Sequence, residues 1–338
     1  MGKRTIRIGF EDFWDNFNPR DNFIYNALTE RYDIELSDKP DYLFYSVFGD
    51  NHLGYDCIRV FYTGENQSPD FNICDYAIGF DSIILGDRYL RYPIYNLYGA
   101  DFNRMLEKHA VTDKEILDKT GFCCFVASNN LSSPERNLFF EKLSNDYRQV
   151  DSGGRFRNNV GGPVADKFEF QSQYKFAIAF ENCSQPGYCT EKLIQAFAAK
   201  TVPIYWGDPL VTETFNPDSF VNCHDFNSWS EVVERIKQID NDDELFRKML
   251  HAPALLQSTD SDTLSDFLYH IIGQPLDKAT RASRHYWGDR YLMLARERSK
   301  AYSMSPRGIA ERIYKATIWK YRHSSKLLWK IDRMLKKR

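Results

Sequence analysis

The chain has 338 residues, a net charge of −3, 43% apolar residues and 15% aromatic residues. This length exceeds the size at which a single hydrophobic core keeps growing, so two domains with substantial cores are expected. The seven cysteines are scattered and include neither a CxxC pair nor a histidine at metal spacing. They argue against a disulfide framework or a zinc site, and we expect them to be reduced.

The amino-terminal residues contain no apolar segment typical of a signal peptide, and no window offers about 18 uncharged apolar residues. The sequence therefore predicts a cytosolic chain without a membrane span.

The first third of the chain alternates short strand patterns with helical ones. Strands are predicted over residues 5–10, 41–47, 58–62 and 76–80, and a short helix over residues 23–31. This alternation favours an α/β domain. Residues 98–120 lack apolar alternation, so the first domain is assigned to residues 1–118.

The predicted strand over residues 58–62 runs into the turn Thr63-Gly64-Glu65-Asn66. The turn places the Glu65 carboxylate at the carboxyl end of a parallel strand, where α/β proteins bind ligands. On spacing alone, a turn or capping role is the better explanation of Glu65.

A second α/β domain is predicted over residues 119–280, beginning with a strand at residues 122–126 and a helix that includes residues 138–143. Glycines at 153–154 and 161–162 flank Arg155 and Arg157. Flexible backbone beside guanidinium groups suits a diphosphate, which arginine grips with a planar fork. Solvated loop arginines are the alternative.

The segment from residue 174 to 209, YKFAIAFENCSQPGYCTEKLIQAFAAKTVPIYWGDP, changes period twice. An apolar strand pattern at residues 174–181 gives way to a polar loop, then to a helix with Thr190 as its N-cap, then to a strand at residues 201–206. Free N–H groups at the start of a helix favour an anion, so a phosphorylated ligand is indicated. Helix capping with a surface lysine is the alternative.

Further strands and helices are predicted at residues 220–226, 230–239 and 243–250, followed by a helical extension over residues 281–305. Two Asp-x-Asp pairs, at residues 240–242 and 260–262, raise the question of a metal. Both pairs lie at apparent helix starts, so N-capping explains them.

The tail over residues 306–338 contains eleven Lys and Arg against Glu311 and Asp332, so its net charge is +9 and that of the preceding chain −12. An apolar stripe accompanies this charge and consists of Leu327, Leu328, Ile331, Met334 and Leu335, with Trp319 and Trp329 nearby. A basic amphipathic helix of this kind binds anionic membrane surfaces. Packing on the globular body is the alternative, and nucleic acid is a weaker one.

The pattern FEN…GY…TEKL…VPIYWGDP resembles the donor-binding signature of the α1,3/4-fucosyltransferases, the family of bacterial Lewis-antigen enzymes and their Golgi relatives. The segment FYTGENQSPDFNICDYAIGFD is similar to the part of the bacterial enzymes that carries the catalytic base. The resemblance implies a GT-B fold, with two Rossmann-like domains facing a cleft, followed here by the basic amphipathic helical tail.

The resemblance also implies roles for individual residues. Glu65 matches the general base, and Arg157-Asn158 match an Arg-Asn pair that contacts the donor phosphates. Four further residues match the remaining donor-binding positions of the family. By this resemblance, Asn182 and Tyr188 face the diphosphate or fucose. Glu191 receives the ribose hydroxyls, and Lys192 neutralises the diphosphate.

The expected function is thus inverting transfer of L-fucose from GDP-fucose to the 3-hydroxyl of GlcNAc in an N-acetyllactosamine-type oligosaccharide or lipopolysaccharide. We expect no metal or other cofactor, no nucleic-acid partner, and association with the inner face of a bacterial inner membrane through residues 306–338. Another linkage such as α1,4, another GDP-sugar, and a non-catalytic glycan-binding or membrane-adaptor homologue are the alternatives. Trp14, Phe17 and Tyr62 offer faces for sugar stacking, with core packing as the simpler explanation.

Overall fold

The computed structural model describes residues 2–128, 132–257, 263–284 and 286–317. Two parallel β-sheets follow one another along these residues, one of six strands and one of five. The predicted α/β class with two sheets is therefore confirmed.

The first sheet has the strand order β2-β1-β3-β4-β5-β6, and all its neighbours pair in parallel. Its strands are β1 Arg4–Glu11, β2 Tyr32–Leu36, β3 Tyr42–Tyr45, β4 Ile58–Tyr62, β5 Tyr76–Gly79 and β6 Tyr89–Arg91. Every residue of β3, β4 and β5 is buried, as expected of central strands covered on both faces. The edge strands β2 and β6 were not predicted, because they are half-exposed and lack a continuous apolar run.

The second sheet has the order β11-β10-β9-β7-β8 and is also parallel. Its strands are β7 Gly121–Phe125, β8 Asp151–Ser152, β9 Tyr174–Phe180, β10 Val202–Trp206 and β11 Val221–Asn222. The last strand is shorter than the predicted residues 220–226, since a 3₁₀ turn at Cys223–Asp225 ends it.

Helices connect the strands and cover the sheets. The described α-helices are α1 Phe23–Thr29, α2 Gly99–Leu106, α3 Asp113–Leu117, α4 Glu135–Asp146, α5 Lys167–Ser172, α6 Glu191–Ala198, α7 Trp229–Asp240, α8 Asp243–His251, α9 Thr263–Gly273, α10 Tyr286–Met304 and α11 Pro306–Thr317. The predicted helix in the extension begins as a separate 3₁₀ turn at Ala282–Arg284 before α10. Within the described ranges, no helix is both long and apolar enough to cross a membrane.

Packing crosses the predicted domain boundary in both directions. Helix α2, which precedes residue 118, packs on α6 of the second domain. Helix α9, which lies before residue 280, returns to the first sheet, where Leu268 is fully buried in the core. The Arg4 guanidinium donates a hydrogen bond to the Ile272 carbonyl oxygen at 2.5 Å. The boundaries drawn from the sequence stay a prediction.

Helix α10 packs beside the first domain rather than extending away from it. The Arg296 Nε donates to the Leu53 carbonyl oxygen at 2.5 Å, and the Ser299 hydroxyl donates to Asp50 Oδ2 at 3.1 Å. Helix α11 follows directly after it. The apolar stripe predicted for the tail, from Leu327 to Leu335, lies outside the described residues.

Candidate active site

The site is built around Glu181, the last residue before the loop that joins β9 to α6. Its carboxylate is fully buried and accepts hydrogen bonds from the Thr190 N–H and the Thr190 hydroxyl, each at 2.7 Å. It also accepts a bond from Lys192 Nζ at 3.0 Å. Burial raises the pKa of Glu181, against the opposing attraction of Lys192. Thr190 is the N-cap residue as predicted, but its hydroxyl donates to Glu181 rather than capping the helix.

Lys192 lies between two carboxylates on the first turn of α6. Its Nζ is 3.5 Å from Glu191 Oε1 and 2.8 Å from the Thr190 hydroxyl oxygen. Although burial opposes the charged form, Glu181 and Glu191 together raise the pKa of Lys192 above its usual value. Burial likewise disfavours the charged form of Glu191. The attraction of Lys192 and Lys167 is stronger than this effect, so the pKa of Glu191 is lowered. The site therefore holds a fixed, partly exposed cation at a helix N-terminus, where it is placed to meet an anion.

A second buried cation, Arg136 on the first turn of α4, completes this cluster. Its guanidinium donates to Asn182 Oδ1 at 3.0 Å, and only 3% of the residue is exposed. Burial lowers the pKa of Arg136, and the nearby Glu181 carboxylate opposes this effect. The sequence analysis missed Arg136 because its signal, an arginine at a helix start, is common. Only the tertiary contact with Asn182 marks it.

The predicted pair Arg157 and Asn158 lies apart from these contacts. Arg157 pairs with Glu141 of α4 and its guanidinium stacks on the Phe140 and Phe156 rings. The Asn158 side chain is used within its own loop, where it bonds Gly154 and Gly162 backbone atoms at 2.8–2.9 Å. The contacts of Arg157 and Asn158 with the phosphates of the sugar donor stay a prediction.

The carboxyl ends of the two sheets meet at the loop before α6. Gly187 has a φ of +83°, and a Cβ there would lie 2.4 Å from the Phe80 carbonyl oxygen, so only glycine allows this approach. Tyr188 is buried and its ring packs edge-on against the Phe80 ring, with centroids 5.1 Å apart. Burial and the neighbouring Glu181 raise the pKa of its hydroxyl.

Glu65 lies across this junction, on the turn after β4. Its N–H donates to the Thr63 hydroxyl at 3.0 Å, while its side chain is exposed. The next residue, Asn66, donates from Nδ2 to Cys183 Sγ at 2.7 Å and so joins the Glu65 turn to the loop after β9. The predicted base and the predicted donor loop are thus brought to opposite sides of one cleft.

A cavity of about 520 Å³ opens beside Glu65. Its walls are mostly apolar and include Trp14, Phe23, Phe48, Tyr62, Ile94, Leu97 and Tyr98. Trp14 is 42% exposed and therefore faces a space that a ligand can enter. Tyr62 is buried against the Phe23 ring, and Phe17 stacks on Phe13 with ring centroids 4.1 Å apart, as the simpler explanation predicted. An apolar cavity with one carboxylate at its edge has the composition of a small-molecule site.

The Asp-x-Asp pairs have other partners where they are described. Asp240 accepts from Arg148 at 2.8 Å and pairs with Lys175 at 2.7 Å. Asp242 caps α8 through the Leu245 N–H. Asp260 and Asp262 lie outside the described residues. In the part of the chain that the structure describes, no group of three or more His, Cys, Asp or Glu is placed to hold a metal, and all seven cysteines are free.

Comparison with known proteins agrees with this architecture. Residues 8–98 match the model of the alpha-(1,3)-fucosyltransferase FucT N-terminal domain, and residues 116–259 that of the glycosyltransferase family 10 (fucosyltransferase) C-terminal region. A Helicobacter pylori alpha-(1,3)-fucosyltransferase FucT is 38% identical over 287 residues, covering 73% of this chain. This chain spans only 59% of that relative's length.

A solved structure of an α1,3-fucosyltransferase with GDP-fucose superposes with a TM-score of 0.65 at 34% identity, covering 77% of this chain and 85% of that one. A mouse 4-galactosyl-N-acetylglucosaminide 3-alpha-L-fucosyltransferase 9 is 34% identical over 136 residues. This match covers 39% of this chain and 37% of the mouse protein. The expected GT-B arrangement is confirmed by the structural match. The chain therefore belongs to glycosyltransferase family 10, the fucosyltransferases.

Proposed function

We propose that this protein transfers L-fucose from GDP-fucose to the 3-hydroxyl of GlcNAc in an N-acetyllactosamine-type acceptor, with inversion at the anomeric carbon. The observation that carries the proposal is the Asn66–Cys183 contact, which joins the Glu65 turn to the loop between β9 and α6, the helix whose first turn carries Lys192. One side of the cleft offers a base and the other a cation, as glycosyl transfer requires. The relatives named above act as fucosyltransferases, and one of them was solved with GDP-fucose.

In the proposed reaction Glu65 takes the proton of the acceptor hydroxyl as its oxygen forms a bond to the fucose anomeric carbon. The bond from that carbon to the diphosphate oxygen breaks, and GDP leaves with the electron pair. Lys192 neutralises the departing diphosphate, and the position of Arg136 beside Asn182 suits it to the same task. Glu65 then loses its proton to water. We propose that the transfer needs no metal.

Mass-spectrometric detection of product from GDP-fucose and N-acetyllactosamine, in excess chelator, tests the proposal. We expect Glu65→Gln to lower the rate by about 10²–10⁴-fold while GDP affinity, measured by calorimetry, is retained. The matched control is Glu213→Gln, which removes an exposed carboxylate of the second domain. A variant that keeps the parental rate would show that Glu65 is not the base.

The other outcomes separate the alternatives. Linkage analysis of the product by NMR distinguishes O3 from O4. A reaction abolished by the chelator would overturn the metal-independent mechanism. GDP binding without product from any N-acetyllactosamine-type acceptor would favour another acceptor or a non-catalytic glycan-binding homologue.

We further propose that residues 306–338 hold the protein at the cytoplasmic face of an anionic bacterial membrane. The described part of this segment, α11, exposes Ile309 and Ile313, one helical turn apart, beside Arg307 and Arg312. Exposed apolar and basic side chains on one helix suit binding at a lipid interface. Flotation with vesicles that contain anionic lipid, but not with neutral vesicles, is expected; equal flotation with both would contradict the proposal.

A further inference from the structure

A groove with a volume of about 640 Å³ lies between the first domain and helix α10. We call it the α10 groove. Its domain-side wall includes Tyr45, Asp50 and Asp70, and its helix-side wall includes Tyr291, Arg298 and Tyr302. Its volume falls within the range of ligand pockets, roughly 300–1,000 Å³.

The α10 groove lies next to the proposed acceptor cavity. Ser46 lines both spaces. Glu65 lines the acceptor cavity, and Gln67, two residues further along the same turn, lines the groove. The Gln67 N–H donates to the Glu65 carbonyl oxygen at 2.7 Å, which fixes the two residues relative to each other. The two spaces are therefore neighbours, with Ser46 and the turn from Glu65 to Gln67 at their border.

The floor of the groove is rigid. The Tyr45 ring is buried and stacks on the His52 ring, with centroids 4.0 Å apart. His52 is held in turn by Asp12, whose Oδ2 lies 2.7 Å from His52 Nδ1 and accepts the His52 N–H at 2.9 Å. Such a preformed surface lowers the entropic cost of binding.

The walls combine exposed aromatic rings with charges of both signs. Tyr291 and Tyr302 are 40% and 38% exposed, and both belong to α10. Asp50 and Asp70 line the groove together with Arg298 and Arg307. With two carboxylates and two guanidinium groups, the lining has no excess charge that would select an ionic ligand, whereas a neutral, hydroxyl-rich ligand finds donors, acceptors and apolar faces together.

We propose that the α10 groove binds the sugar residues of the acceptor that flank the reacting GlcNAc. This inference rests on the proposed function and adds a second determinant of acceptor choice, supplied by α10. The occupant is a neutral oligosaccharide, continuous with the residue at Glu65. The protein then favours longer acceptors over the disaccharide.

Kinetics on two acceptors tests the inference with the full chain. The acceptors are the disaccharide N-acetyllactosamine and a tetrasaccharide of two such units, with rates counted per acceptor GlcNAc. We expect the parent to have a higher kcat/KM on the tetrasaccharide. Tyr291→Ala should lower that value about fivefold and leave the disaccharide value unchanged within about twofold, since only the longer acceptor reaches the aromatic face of Tyr291.

The matched control is Met293→Ala, which removes an exposed side chain of α10 that does not line the groove. It should preserve both values. Equal values of the parent on the two acceptors would overturn the inference, and so would an equal loss on both acceptors in Tyr291→Ala.

Saturation-transfer NMR of the tetrasaccharide on the GDP-bound protein provides a readout that does not need catalysis. Saturation of the flanking sugars should be present in the parent and lost in Tyr291→Ala. Binding without transfer would overturn the proposed function but support the groove. Transfer without saturation of the flanking sugars would overturn the groove alone, and the absence of both would overturn both.

Discussion

The two sides of the cleft differ in how their functional side chains are held. On the donor side, Glu181, Thr190 and Lys192 share hydrogen bonds of 2.7–3.0 Å around a fully buried carboxylate. On the acceptor side, Glu65 is exposed on a short turn, and its side chain borders an open cavity.

This difference has a physical reason. The diphosphate of a nucleotide-sugar donor has the same charge and shape whichever acceptor is used. Charges that are fixed in place before the donor binds therefore stabilise it at a lower cost in reorganisation. Glu65, the proposed base, by contrast has to approach a hydroxyl that arrives with each acceptor, and an exposed carboxylate on a turn allows this. Substitutions of Glu181 or Lys192 are therefore expected to affect stability as well as activity, and substitutions of Glu65 activity alone.

The largest expected effect is that of Glu181→Ala. The substitution leaves Lys192 without its closest carboxylate in a largely buried position, so we expect the free energy of unfolding to fall by about 3–5 kcal/mol. Urea unfolding measures this change. Glu65→Ala is the acceptor-side control and should change stability by no more than about 0.5 kcal/mol. Equal losses of unfolding free energy in Glu181→Ala and Glu65→Ala would show that the side chains on the two sides of the cleft contribute equally to stability.

Leu268→Ala tests whether the acceptor side depends on the returning helix α9. The Leu268 side chain is fully buried against the first sheet, and its removal should cost about 2–5 kcal/mol of unfolding free energy. Leu276→Ala, at a position that is 47% exposed, is the control and should be nearly neutral. If Leu268→Ala is equally neutral, α9 is not part of the first domain's core in solution.

Arg136→Met and Arg157→Met separate the two candidate phosphate ligands of the donor side. Arg136 lies buried beside Asn182, and we expect its loss to weaken GDP binding by about 1.5–3 kcal/mol, which is roughly ten- to 150-fold. Arg157 pairs with Glu141, and its loss should cost less than about 1 kcal/mol. Calorimetric titration with GDP measures both. A larger loss in Arg157→Met would restore the assignment that the family resemblance favours.

A pH-dependent effect on stability concerns Lys108, which follows α2 and donates to the Met249 and Leu250 carbonyl oxygens at the end of α8. Burial lowers the pKa of Lys108 to about 7. Between pH 7 and 10 the unfolded chain holds a proton that the folded protein has released, so the stability contribution rises with pH by up to about 1.4 kcal/mol per unit.

We expect Lys108→Met to reduce this slope in urea unfolding between pH 7 and 9. Burial also lowers the pKa of Lys119, to about 8, so a smaller slope should persist in the variant. Lys278→Met, at an exposed position, is the control. An unchanged slope in Lys108→Met would show that Lys108 keeps its proton in the fold.

Much of the fold was predictable, because its central strands are continuous apolar runs. The prediction for β4 matched its observed bounds, Ile58–Tyr62, and the prediction for β9 was one residue longer than Tyr174–Phe180. The edge strands β2 and β6 of the first sheet and the helix α2 were missed, because half-buried elements depend on partners that are distant in sequence. The return of α9 to the first sheet has no local signal at all.

The sequence by itself determined the family, the two-sheet α/β class and the identity of the loop between β9 and α6. These depend on residue types at fixed local spacing, which a motif preserves. Only the tertiary structure brought Arg136 to Asn182, the turn of Glu65 to the loop between β9 and α6, and α10 to the groove beside Ser46. Such contacts join residues tens to hundreds of positions apart, and their energies are realised only when the whole chain has folded.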